Sequence, residues 1–153
     1  MAPRAKSLED RVRRSVKKVT HTLPAVEALM SSEGKLDVIA TARGLTGRIR
    51  IVVRIRSTIP ECWAMAVLLN NQRIDGIDWE SRVNDHRGRK HDCKGWHRHM
   101  WTAKTTDTLK ECLPKFAPRT PQEFLMNGFR LLNVQLKRGQ DGERLPFDQE
   151  RSG

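Results

Sequence analysis

The sequence predicts an α+β fold: an antiparallel sheet of about five strands, with N-terminal and C-terminal helices packed on one face. Three observations predict it. Apolar residues recur every three or four positions near both ends of the chain, the spacing of a helix face. Between those ends, segments from 35 to 103 alternate apolar and polar residues or run apolar, as strands do. The connections between the segments are mostly short, and a parallel pair would need a long crossover. The 153 residues suffice for one domain with its own core, expected over residues 1–139. Residues 140–153 hold few apolar side chains and are expected to form a flexible tail.

At the start, Ser7 suits an N-cap, and Glu9 and Asp10 complement the dipole of a first turn. Leu8, Val12, Val16, Val19, Leu23 and Val26 keep helical spacing, so residues 7–32 read as helical. Pro24 divides them, since proline suits the first turn of a second helix. Residues 35–42 form a short strand, followed by a turn at Gly44–Gly47. Over 47–57, Ile49, Ile51, Val53 and Ile55 alternate with Arg48, Arg50, Val52, Arg54 and Arg56. One face of that strand is apolar and the other is a row of four arginines. Their repulsion calls for carboxylates, such as Glu61, Asp75 and Asp78, or for phosphates.

Residues 62–69 are apolar throughout and read as a central buried strand. Asn70-Asn71 reads as a hairpin turn, and residues 72–79 return as a strand in which Gly76 marks a bulge or a close approach. Residues 80–95 are polar and read as a loop, and 96–103 as a further strand. Asp107 can cap a short helix carrying Leu109, Cys112 and Leu113, ended by Pro114. Thr120-Pro121-Gln122-Glu123 is a capping box with proline in the first turn. Phe124, Leu125, Phe129, Leu132 and Leu136 continue that helix to Lys137, Arg138 and a terminating Gly139.

The chain carries 29 Lys plus Arg against 18 Asp plus Glu, a net charge of +11. That excess favours a polyanionic partner, with nucleic acid ahead of an anionic membrane surface. No apolar run approaches the ~20 residues of a membrane span. The basic opening residues lack the apolar stretch of a secretory signal. Three cysteines, Cys62, Cys93 and Cys112, are too few and scattered for a disulfide framework, so a reducing, cytoplasmic home without a membrane role is expected. Cys62 and Cys112 have apolar neighbours and read as core.

Function concentrates in residues 84–101, which hold His86, His91, His97 and His99 among arginines, lysines and tryptophans. On strand 96–103, His97, His99 and Trp101 share one face, and Trp96, Arg98 and Met100 the other. Imidazoles two residues apart on a strand lie about 6–7 Å apart. They could act as the base and acid that cleave RNA through its 2′-hydroxyl, with Arg73 on the phosphate and Asp75 orienting a histidine. They could instead ligate a divalent metal, the one cofactor these residues suit, with His86, His91 and Cys93 as further candidate ligands. Arg48, Arg50, Arg54, Arg56, Arg87, Arg89, Lys90 and Arg98 are the candidate cations for nucleic acid. Trp79, Trp96 and Trp101 are candidate stacking platforms, while Trp63 reads as core. The plainer alternative is that the histidines are satisfied within the fold, as is expected for the isolated His21.

From Arg48 to about Trp101 the chain resembles the TumE-like toxins of bacterial toxin–antitoxin systems. The shared features are basic alternating strands, the Arg73-Ile74-Asp75 element and the His97-Arg98-His99 strand. The resemblance implies a small cytoplasmic toxin that acts on RNA and is neutralised by a cognate antitoxin, and it implies no catalytic mechanism. The expected function is thus an RNA-binding, toxin-like protein with ribonuclease chemistry at His97 and His99. The alternatives are a non-enzymatic nucleic-acid-binding module and an inhibitor of an acidic protein partner.

Overall fold

The structure, a computed structural model, describes residues 7–20, 33–45, 47–56, 59–80, 95–102 and 105–137. The elements in chain order are helix α1 (Leu8–Arg14), strands β1 (Lys17–Thr20), β2 (Gly34–Ala42) and β3 (Ile49–Ile55), then a 3-10 turn (Pro60–Cys62). Strands β4 (Trp63–Leu69), β5 (Gln72–Glu80), β6 (Gly95–Thr102) and β7 (Thr105–Cys112) follow, and then helix α2 (Pro121–Leu131) and strand β8 (Val134–Lys137). One eight-stranded sheet runs β7-β6-β5-β4-β3-β2-β1-β8, antiparallel except where β1 lies parallel to β8. The α+β class is as expected, with eight strands in place of five.

The three additional strands all come from segments whose apolar spacing reads as helix. α1 stops after two turns, where Ser15 turns extended and its N–H caps the carbonyls of Arg11 and Val12. Lys17 and Val19 are then buried with Lys18 exposed between them, the period of a strand. The segment expected as a helix capped by Asp107 is β7, paired along β6. Helix α2 does not run on to Gly139, because Asn133 takes a φ of 57° and the chain leaves as β8. In each case a neighbouring strand outcompetes local helix preference. The expected second half of the first helix and the tail 140–153 lie outside the described residues.

The core lies on one face of the sheet. Ile49, Ile51, Val53 and Ile55 point into it from β3, and Trp63, Met65, Val67 and Leu69 from β4. Asn70 and Asn71 both take positive φ, which gives the tight β4–β5 turn the twist a hairpin needs. Helix α2 covers this face with Phe124, Leu125 and Phe129, and Val12 brings α1 into the same cluster. Thr120 caps α2 by accepting the Glu123 N–H at 3.1 Å, while the Glu123 carboxylate accepts from Arg119 N–H at 2.8 Å. Glu123 thus caps one residue further out than a standard capping box.

Two cations fasten α1. The Lys17 ammonium, fully buried, donates to the carbonyls of Val12, Arg13 and Ser15 at 2.9, 3.1 and 2.9 Å. These include orphan carbonyls of the helix C-terminus. The Arg13 guanidinium reaches the carbonyls of Ile74 and Trp101, both at 3.0 Å, and so ties the helix across β5 and β6.

Candidate functional site

Strands β5 and β6 are neighbours, with Gly76 opposite His99 and Asp78 opposite His97. Directly opposed residues share a face. His97, His99 and Trp101 therefore stand with Gly76, Asp78 and Glu80 on the face that carries no helix among the described residues. Trp96, Arg98 and Met100 stand with Asp75, Ile77 and Trp79 on the core face.

Arg73 and Asp75, expected to serve one site, do not share a face. Val67 pairs with Asp75 but Leu68 pairs with Arg73, so Ile74 is an extra residue in a bulge. The bulge reverses the alternation and sends the two side chains to opposite faces. Asp75 is fully buried on the core face, accepting from Arg98 at 2.9 and 2.8 Å and from the Gly76 N–H at 3.0 Å. This pairing raises the Arg98 pKa and commits its guanidinium, so Arg98 is not a free cation for nucleic acid, nor does Asp75 orient a histidine. Burial lowers the nearby Lys17 to about 8, while the Asp75 charge opposes that shift. This cluster holds α1 on the sheet.

Asp78 takes the place expected of Asp75. Its Oδ1 lies 2.5 Å from Nε2 of His99, and Glu80 Oε1 lies 3.5 Å from the same nitrogen. Lys110 donates to both Glu80 oxygens at 3.0 and 3.1 Å. His97 Nδ1 is 2.7 Å from the Gly95 carbonyl, and the two imidazole centroids are 6.4 Å apart, the spacing expected on one strand. His97 and His99 are only 1% and 4% exposed, so both are packed and hydrogen-bonded within the fold. The ligand atoms of Asp78, Glu80 and His99 lie within 4.8 Å of one another, a set that could hold a divalent cation if Lys110 released Glu80. Of the expected metal candidates, His86, His91 and Cys93 lie outside the described residues, as do Arg87, Arg89 and Lys90.

The arginine row of β3 meets a different acid from those expected. Arg50 donates to Asp37 on β2 at 3.0 Å through Nε and to Asn71 at 3.2 Å, and it holds the Asp37 carboxyl below its usual range. Lys35 lies 3.9 Å from the same carboxylate and sits directly opposite Arg54. Two cations thus share one carboxylate, and the charge of Arg54 adds to the lowering of its pKa without contact. Arg54 and Arg73 make no side-chain hydrogen bond or ion pair of their own among the described residues, and Arg48 and Arg56 are exposed at the strand ends.

Arg54 and Arg73 border a shallow, open depression floored by Val52, Ala64 and Ala66. Trp101 leans over its rim: a Cβ added to Gly76 would lie 3.3 Å from the indole, so this glycine marks a close approach, while the bulge sits at Ile74. Trp101 also stacks on His99, with centroids 5.4 Å apart and planes 15° from parallel. It is the one tryptophan placed for stacking on this face. Trp63 is core as expected, Trp96 is buried edge-on against Phe116, and Trp79 packs against Trp96. Sequence reasoning missed Asp78 as the histidine's partner and the Ala64–Ala66 floor, although small residues two apart on a strand are a legible sign of a trough. Neither cysteine expected in the core is buried there: Cys62 is exposed and free, and Cys112 is half-buried and disulfide-bonded.

Comparison with protein-family models, curated proteins and solved structures finds no match to this chain. Among the described residues, no helix is long and apolar enough to cross a membrane.

Proposed function

We propose that the protein binds single-stranded nucleic acid, RNA first, on the face of its sheet that carries no helix among the described residues. One observation carries this reading: Arg54 and Arg73, two guanidinium groups without side-chain partners among the described residues, border one shallow trough together with the half-buried indole of Trp101. Arginines that track phosphates beside an aromatic platform are what a strand with unpaired bases requires. The net charge of +11 and the crowding of Lys35, Arg50 and Arg54 around Asp37 supply attraction at longer range. The TumE-like resemblance rests partly on Arg73-Ile74-Asp75, whose ends point to opposite faces, so only Arg73 enters this reading. In a toxin-like setting, a cognate antitoxin would act by covering this face.

A second reading is phosphodiester cleavage at His99, favoured by the Asp78 carboxylate that orients its imidazole. A divalent ion held by Asp78, Glu80 and His99 would give the same place a metal-dependent chemistry. Fluorescence anisotropy with labelled eight-nucleotide RNA, the same DNA and an RNA duplex tests the leading reading. It expects the single strands to bind more tightly than the duplex and Trp101→Ala to weaken them. Equal binding of duplex and single strand, or no binding, refutes it. Incubation of the same RNA with and without EDTA, beside His99→Ala, separates cleavage from binding.

A further inference from the structure

We infer that the trough over Ala64 and Ala66 receives one unpaired guanine base of the bound strand. This rests on the reading above and names the base. Val52, Ala66 and Gly76 lie in one row across β3, β4 and β5, and Arg54 lies beside Ala64 in the next. Ala64 and Ala66 do not extend past Cβ, and the Trp101 ring lies over Gly76, which leaves a shallow recess between Arg54 and Trp101. One face of Trp101 is taken by His99, so a base in the recess stacks on the other.

Asp78 stands at the Ala64 end of the trough, where Arg54 also stands, and Arg73 stands at the other end. Asp78 and Arg73 stand on the same face of β5, five residues apart, a span of about 16 Å before the bulge shortens it. Asp78 Oδ1 is engaged by His99, while its other oxygen has no partner among the described residues. Arg73 is likewise uncommitted. The ligand that fits is a flat aromatic ring with hydrogen-bond donors on one edge and acceptors on another. Guanine offers N1–H and N2–H to the carboxylate and O6 with N7 to the guanidinium. Uracil presents carbonyl oxygens on either side of its one donor, which a carboxylate repels. Adenine and cytosine offer an amino group but lack the paired O6 and N7 acceptors.

The test uses the full chain and oligouridylates of eight nucleotides carrying one central guanosine, inosine, 7-deazaguanosine, adenosine, cytidine or uridine. Guanosine should tighten binding over uridine by on the order of tenfold. Inosine, lacking the N2 amino group, and 7-deazaguanosine, lacking N7, should each lose much of that gain. The 2′-deoxy series should show the same preference, because the contacts are to the base. Asp78→Asn should bring the guanosine-to-uridine ratio towards one, and the nucleobase series decides the matter even if that variant fails to fold. Strands that all bind alike, or adenosine and cytidine that match guanosine, overturn the guanine site and leave the binding face standing. If no strand binds, the binding face falls and the guanine site with it.

Discussion

Replacing Arg54 and Arg73 together with glutamine should flatten the salt dependence of binding by a calculable amount. Each phosphate held by a cation on a single strand contributes about −0.7 to the slope of log K against log salt. On an oligouridylate, where Arg73 finds no guanine, both guanidinium groups are available to phosphate, so the double variant should lose about 1.4 from that slope. Between 50 and 200 mM salt the wild-type protein should then lose about sevenfold more affinity than the variant. Arg50→Gln is the control. Its guanidinium is already engaged by Asp37 and Asn71, so its removal should change the slope little. Anisotropy titrations at four salt concentrations give all three slopes. A double variant with the wild-type slope, or an Arg50→Gln variant that loses as much, refutes the division of the row into committed and uncommitted arginines. Arg54→Gln should also raise stability by about 0.2–1 kcal/mol, because it removes a cation directly opposite Lys35. Urea denaturation of that single variant would therefore move in the opposite direction to its affinity.

Trp101→Ala should cost about 1–3 kcal/mol in binding a single strand and little in folding. Trp96→Ala, which empties a buried ring site against Phe116 and Phe124, should cost about 3–5 kcal/mol in folding by denaturant titration. Gly76→Ala would place a Cβ 2.8 Å from the Met65 carbonyl oxygen, a backbone atom that cannot move aside alone, and should destabilise by about 1–3 kcal/mol. Burial lowers the Lys17 pKa from 10.5 to about 8, so between those values the folded protein binds fewer protons than the unfolded chain. The penalty of burying the charge is fully present below about pH 8 and is relieved as pH rises towards 10.5, so stability should climb by up to about 1.4 kcal/mol per pH unit across that window. Urea midpoints at pH 7 to 10 should show this climb in the wild-type protein and not in Lys17→Met, and parallel curves would discount the shift.

The five central strands are legible in the sequence because each alternates or runs apolar over its own length, and the connections between them are mostly short, the one before β6 excepted. The other three are not legible, since Val12 and Val19 fit a helical spacing as well as they fit a short helix followed by a strand. What decides is the pairing of β1 with β2 and β8, which lies outside any local window. The shared face of His97, His99 and Trp101 follows from period two alone. The separation of Arg73 from Asp75 does not, because a bulge adds one residue without a glycine or proline to mark it. The arginine row shows the same limit most sharply. Arg50 and Arg54 are equivalent in the alternation of β3, yet Asp37 bonds one and leaves Lys35 to face the other. That difference is set by the register of β2 against β3. A slip of two residues would keep every apolar side chain on the core face while redistributing the acid among the cations. The register of a neighbouring strand, rather than the composition of the row, therefore determines which arginine is left to meet a phosphate.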